Sequence, residues 1–234
     1  MNAGIRAWAP SFLGNPNFNS MYLAMVVPIA IYFLSNTKRL PWRFYFATST
    51  FLMLWVIAQS ASRAAILAVA VALFSGGLML LFRKKFGVHL IAVGTGLILF
   101  CLMAYLALNV YRPDSISQSL QFQETNQQSR LVVWDMSADM ILNRPWTGTG
   151  LSNYFIGFNQ YGWSPVSFGE RFDDPHNVFL LLGVSGGFPM LIVFTVMLGS
   201  ILLLAWKGSR ADSLHIALIG AVIAWIVAGS FGPV

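Results

Sequence analysis

The chain reads as an all-α, polytopic membrane helical bundle of about six transmembrane helices, with one large helical loop outside the bilayer. Three observations predict this. Only 9% of its 234 residues are charged, against 57% hydrophobic and a mean hydropathy of +0.68, whereas a soluble domain carries roughly 25% charged residues. The apolar residues gather into runs near the roughly 17–25 residues that a bilayer crossing needs. The basic residues fall in short clusters between those runs, as topology signals do. A formal charge of +6 could otherwise suggest nucleic acid, but this spacing excludes that partner. Cys101, the single cysteine, lies inside an apolar run, so neither an intrachain disulfide nor a zinc cluster is expected.

Taken in order, residues 1–19 form a tail. They lack the basic n-region and apolar h-region of a signal peptide, and Gly14-Asn15-Pro16-Asn17 reads as a turn. Four spans are expected within 20–110. The first is 20–35. The apolar stretch 44–82 is too long for one helix, and its polar break Gln59-Ser60-Ala61-Ser62-Arg63 divides it into 44–62 and 64–82, joined by a tight hairpin. Arg83-Lys84-Lys85 precedes the fourth span, 86–110. A polar loop occupies 111–175. Beyond it, Ser185-Gly186-Gly187 and Pro189 divide the next apolar stretch into a half-helix, 176–186, and a full span, 188–206. The final span is 213–231.

The loops 36–43, 83–85 and 207–212 hold Lys38, Arg39, Arg43, Arg83, Lys84, Lys85, Lys207 and Arg210 against a single acid, Asp212. Six alternating spans put all three on one face, the cytoplasmic one by the positive-inside rule. The loop 111–175 and Arg63 then share the opposite face. That loop has no positive bias: four arginines (112, 130, 144, 171) meet seven acids (114, 124, 135, 139, 170, 173, 174).

Within the loop, residues 129–143 have helical period. Leu131, Trp134, Ala138 and Ile141 are expected to form its apolar stripe, with Asp135 and Asp139 on a polar face. Pro145 ends the helix. An amphipathic helix lying on the membrane surface satisfies the same pattern. Arg63 sits at a hairpin between two apolar runs. It either snorkels to the headgroups or presents a guanidinium fork to a phosphate. His176 follows Pro175 and is expected to open an apolar helix, as a cap or as a base, because a helix N-terminus disfavours the imidazolium. Asp173 and Asp174 are adjacent carboxylates with no further ligand at metal-site spacing, so no metal is expected.

In order along the chain come GNPN before a span, SASR at a hairpin, Arg130 and Trp134 four apart, NRPWTGTGLSNYF, and PHN before an apolar helix. This sequence of motifs resembles the O-antigen ligase family, the Wzy-C group of bacterial membrane glycosyltransferases. The resemblance runs from Gly14 to about Trp206. It implies a GT-C-like bundle in the bacterial inner membrane, with its active site on the periplasmic face. It also implies an inverting, metal-independent enzyme without a cofactor. Such an enzyme moves a glycan from undecaprenyl diphosphate to a hydroxyl, as on a lipid A–core sugar. Relatives polymerise polysaccharide or glycosylate proteins. By position, Arg63, Arg130 and His176 match the catalytic residues, with both arginines holding the diphosphate. Ser62, Trp134 and Asn177 are expected beside them in substrate binding. Family members carry several helices before the GNPN turn, so the chain is expected to be a fragment retaining the catalytic half. A transporter component would also be polytopic with an intramembrane arginine, but no internal repeat is seen and the large loop would have no role.

Overall fold

The computed structural model describes residues 16–60, 62–82, 130–151, 153, 154, 156 and 174–231. Most of the 1–19 tail, the span expected at 86–110 and much of the 111–175 loop lie outside these residues. The described segments are helices joined by turns. They are α1 (Pro16–Asn36), α2 (Leu40–Gln59), α3 (Arg63–Phe82), α4 (130–143), α5 (Val178–Ser209) and α6 (Leu214–Phe231). The helical class predicted from composition holds. By length and composition α1, α3, α5 and α6 can each cross a membrane. The chain divides into two compact units, Met1–Pro113 with Leu202–Ala228, and Asp114–Ile201 with Gly229–Val234.

In the first unit α1 packs against α2 and α3. The contact surface is built from Ala24, Val27, Ile57, Ala65, Ala68, Val69 and Ala72, with Ala224 and Ala228 of α6. Lipid tails are as apolar as leucine, so burial alone does not pair helices in a bilayer. Alanine-rich faces do so by letting backbones approach closely. Gly220 extends this, since a Cβ there would lie 3.2 Å from the Pro28 ring. Large apolar side chains such as Phe44, Phe51, Leu52 and Phe74 point outward, as lipid-facing residues do.

The turn between α1 and α2 is shorter than expected. Arg39 takes the N-cap position and Pro41 falls in the first turn of α2, where proline's fixed φ suits a helix start. Arg43 is therefore helical rather than in a loop. Beside these cations Phe33, Trp42, Tyr45 and Phe46 stack in a chain of ring contacts 5.3–6.3 Å apart. Aromatics next to basic residues mark a membrane–water interface. At its other end α2 stops at Gln59 and α3 begins at Arg63, at the polar break 59–63; α2, which covers most of the span expected at 44–62, is not among the described helices apolar enough to cross a membrane.

The second unit forms around α4, and here the predicted stripe needs correcting. Leu131 is exposed. The buried face is Val133, Met136, Ser137, Met140 and Ile141, which packs with Tyr154, Val184, Leu180 and Leu181. This set also has helical period. Ser137 hid it, because a serine in mid-stripe reads as polar. Its hydroxyl instead donates to the Val133 carbonyl at 2.6 Å and shares a 2.8 Å hydrogen bond with Tyr154 Oη, so its burial leaves no polar atom unmatched. Asp135 and Asp139 are exposed, as expected.

α5 is broken where Gly186-Gly187-Pro189 predicted a break. Gly187 has φ 69° and ψ −166°, a region that only glycine occupies readily. The break interrupts the helical ladder, and a backbone group left buried without a partner is costly. The turn after α4 supplies the missing partners. Thr149 N–H donates to Val184 O (2.7 Å), Gly150 N–H to Ser185 O (3.0 Å), and Phe188 N–H to Pro145 O (2.7 Å). The Thr149 hydroxyl adds a bond to Val184 O at 3.1 Å. The RPWTGTG segment is thus a backbone clamp on the broken helix. It must be glycine-rich because a Cβ on Gly148 would lie 2.5 Å from Val184 O.

Candidate functional site

Four of the expected site residues lie in the second unit, and α4 brings them together. Arg130 and Trp134 stand one turn apart on α4. The guanidinium Nη1 of Arg130 donates to the carbonyl of Phe231 at 3.0 Å. Phe231 is the last residue of α6, and a cation there meets the negative end of the helix dipole. Trp134 lays its ring against Phe231, with centroids 6.3 Å apart. Its indole N–H donates to the carbonyl of Pro175 at 2.9 Å. Pro175 is fully buried, so α4 holds the residue immediately before His176.

His176 does not open the helix, as the sequence suggested. Asn177 does. Its Oδ1 accepts the backbone N–H groups of Phe179 (2.9 Å) and Leu180 (3.2 Å), which is the N-cap geometry. α5 then starts at Val178. This leaves His176 one position outside the helix with φ 51°, a left-handed conformation uncommon for a residue other than glycine.

Asp174 supports that conformation. Its Oδ1 accepts the His176 backbone N–H at 2.6 Å. The same oxygen lies 2.9 Å from His176 Nδ1, but off the line of a hydrogen bond. Nδ1 is buried there without an aligned partner. About 31% of the His176 side chain is accessible.

Tyr154 borders the same carboxylate. Burial pushes its phenol up to about 12, the Ser137 hydrogen bond opposes this, and the nearby Asp174 charge adds to it. The phenol stays protonated at neutral pH, as a core hydrogen-bonding group.

Ser62 and Arg63 belong to the first unit. Ser62 is buried. Its N–H donates to Ser60 Oγ (3.2 Å) and its carbonyl accepts Ile66 N–H (3.0 Å), so it leads directly into α3. Arg63 is the first residue of α3 and is exposed, and no partner holds its guanidinium among the described residues. A cation in the first turn is unfavourable with respect to the helix dipole, which an anion bound by the guanidinium would offset.

Sequence reasoning missed Asp174 as a partner of His176, Tyr154 and Ser137 as a buried pair, and Asn177 as a cap. Only the cap had a readable signal, an asparagine directly before an apolar helix.

The described residues are those of a helical protein with several helices able to cross a membrane, and Arg130, Asp174 and His176 belong to one structural unit. The sequence model of the O-antigen ligase family matches residues 48–195, a stretch that includes every residue named above as a candidate site. The chain belongs to that family, whose type is a membrane glycosyltransferase. No curated protein matches it.

Proposed function

We propose that the chain transfers a glycan from undecaprenyl diphosphate to a hydroxyl acceptor, such as a lipid A–core sugar, at the periplasmic face of the bacterial inner membrane. The observation that carries this is the α4 linkage. One helix bears Arg130 and, one turn on, bonds to the residue before His176. A cation for a phosphate and a base for a hydroxyl are thereby parts of one unit.

In the proposed step the acceptor oxygen attacks the anomeric carbon and His176 Nε2 takes its proton. The bond from that carbon to the diphosphate oxygen breaks, and the lipid diphosphate leaves with the electron pair. Attack opposite the leaving group inverts the anomeric centre. The developing charge on the diphosphate needs fixed cations, a role proposed for Arg63 and Arg130. Their planar forks match phosphate oxygens. No metal takes part in this scheme. Polymerisation of the glycan, or its transfer to a protein hydroxyl, would use the same chemistry with another acceptor.

The test is His176→Ala, assayed on purified protein for both donor binding and transfer. A general base is worth about 10²–10⁴-fold, so transfer should fall by that factor while donor affinity stays within a few-fold. Transfer close to wild type would remove His176 from the mechanism. A parallel loss of donor affinity would make it a phosphate ligand instead.

A further inference from the structure

We propose that Asp174 is a positioning residue that sets the orientation and tautomer of His176, an inference that rests on His176 being the base. One carboxylate oxygen meets both ends of that residue: it accepts the backbone N–H at 2.6 Å and lies 2.9 Å from Nδ1. A carboxylate facing Nδ1 favours the tautomer with its proton there, and the lone pair then falls on Nε2. About 31% of the His176 side chain is accessible. As the acceptor proton arrives at Nε2, the ring gains a positive charge that Asp174 is placed to stabilise. Asp174 does not itself take the proton.

The backbone serves the same end. His176 lies in the left-handed region, with its ring Nδ1 against Asp174. That conformation is strained for a residue with a side chain and persists only when the surroundings impose it. Trp134 fixes Pro175 on one side and the Asn177 cap fixes the other. Asp174 is the one contact of the three that also reaches the imidazole. Its side chain is only about 20% accessible, so water screens the pair little.

The experiment measures kcat and KM for a polyprenyl-diphosphate-linked glycan donor on Asp174→Asn, Asp174→Ser and Asp174→Glu, each also combined with His176→Ala. Asparagine and serine keep an oxygen for the His176 N–H but carry no charge for Nδ1. Both should lower kcat by at least about tenfold with donor KM within threefold and Tm unchanged. Asp174→Glu should recover part of the rate. In the His176→Ala background Asp174→Asn should cost nothing more, because residues acting through one another are non-additive. Turnover of Asp174→Asn within threefold of wild type would overturn the proposal while leaving His176 as base. So would an equal loss in both backgrounds, or a loss that tracks Tm. Near-normal transfer by His176→Ala alone would instead overturn the base assignment beneath it.

Discussion

Replacing Gly187 by alanine should damage this protein more than any other single methyl added to α5. The new Cβ would collide with the carbonyl oxygen of Pro145, a backbone atom that cannot swing aside. The φ, ψ pair of 69°, −166° is closed to alanine, a strain of order 1–3 kcal/mol. Relieving either problem moves the 145–150 turn off the helix and breaks at least the Phe188 N–H to Pro145 O bond, worth about 0.5–1.5 kcal/mol net. Together these come to about 1.5–4.5 kcal/mol. If Thr149 and Gly150 also let go of Val184 and Ser185, the loss is larger. For a chain of this length each kcal/mol lowers Tm by roughly 2–4 °C, so a fall of about 3–18 °C is expected in detergent micelles. Gly199 is the control on the same helix. A Cβ there meets nothing within 4 Å, so Gly199→Ala should be neutral or raise stability by roughly 0.5–1 kcal/mol through helix propensity. A Tm for Gly187→Ala within 2 °C of wild type, or an equal fall for Gly199→Ala, would refute the backbone clamp.

Three further outcomes are expected. Arg63→Lys and Arg130→Lys should each cut glycan transfer strongly, because lysine keeps the charge and loses the planar fork; near-normal transfer by both in an in-cell assay, with expression checked by blot, would limit the arginines to a simple charge role. Tyr154→Phe should cost about 0.5–1.5 kcal/mol, read as a Tm shift. Because the folded-state pKa of Tyr154 is raised from 10.0 to about 12, the folded form holds its proton when the unfolded form has lost it. Its contribution is complete below pH 10 and is lost as pH rises toward 12, so the phenylalanine variant should show a shallower alkaline loss of stability. Asn177→Ala should lose about 1 kcal/mol as the α5 cap is removed, and Asn177→Asp should retain most of it, as thermal melts of the two variants will show.

The amino-acid sequence by itself determined the membrane class, because scarcity of charge along the chain is a one-dimensional property. It determined where α2 gives way to α3, since Gln59 to Arg63 is too polar to lie mid-span. It determined the break in α5, because two glycines and a proline cannot continue a regular helix. Tertiary structure alone decided what satisfies that break: Val184, Ser185 and Phe188 are bonded by residues some 35 or more positions away, and such pairing leaves no periodic trace. It also decided which face of α4 is buried. Ser137 sits in the core with its hydroxyl bonded both to Val133 O and to Tyr154 Oη. The site follows the same division. Arginine and histidine were recognisable as chemistry-bearing residues in their motifs. The indole that anchors Pro175 from 41 residues away is in place only once the second unit has packed, because a side chain must reach a backbone atom that folding alone brings within 3 Å; the left-handed turn at His176, with Asp174 two residues back against its ring, is a local conformation that leaves no periodic trace.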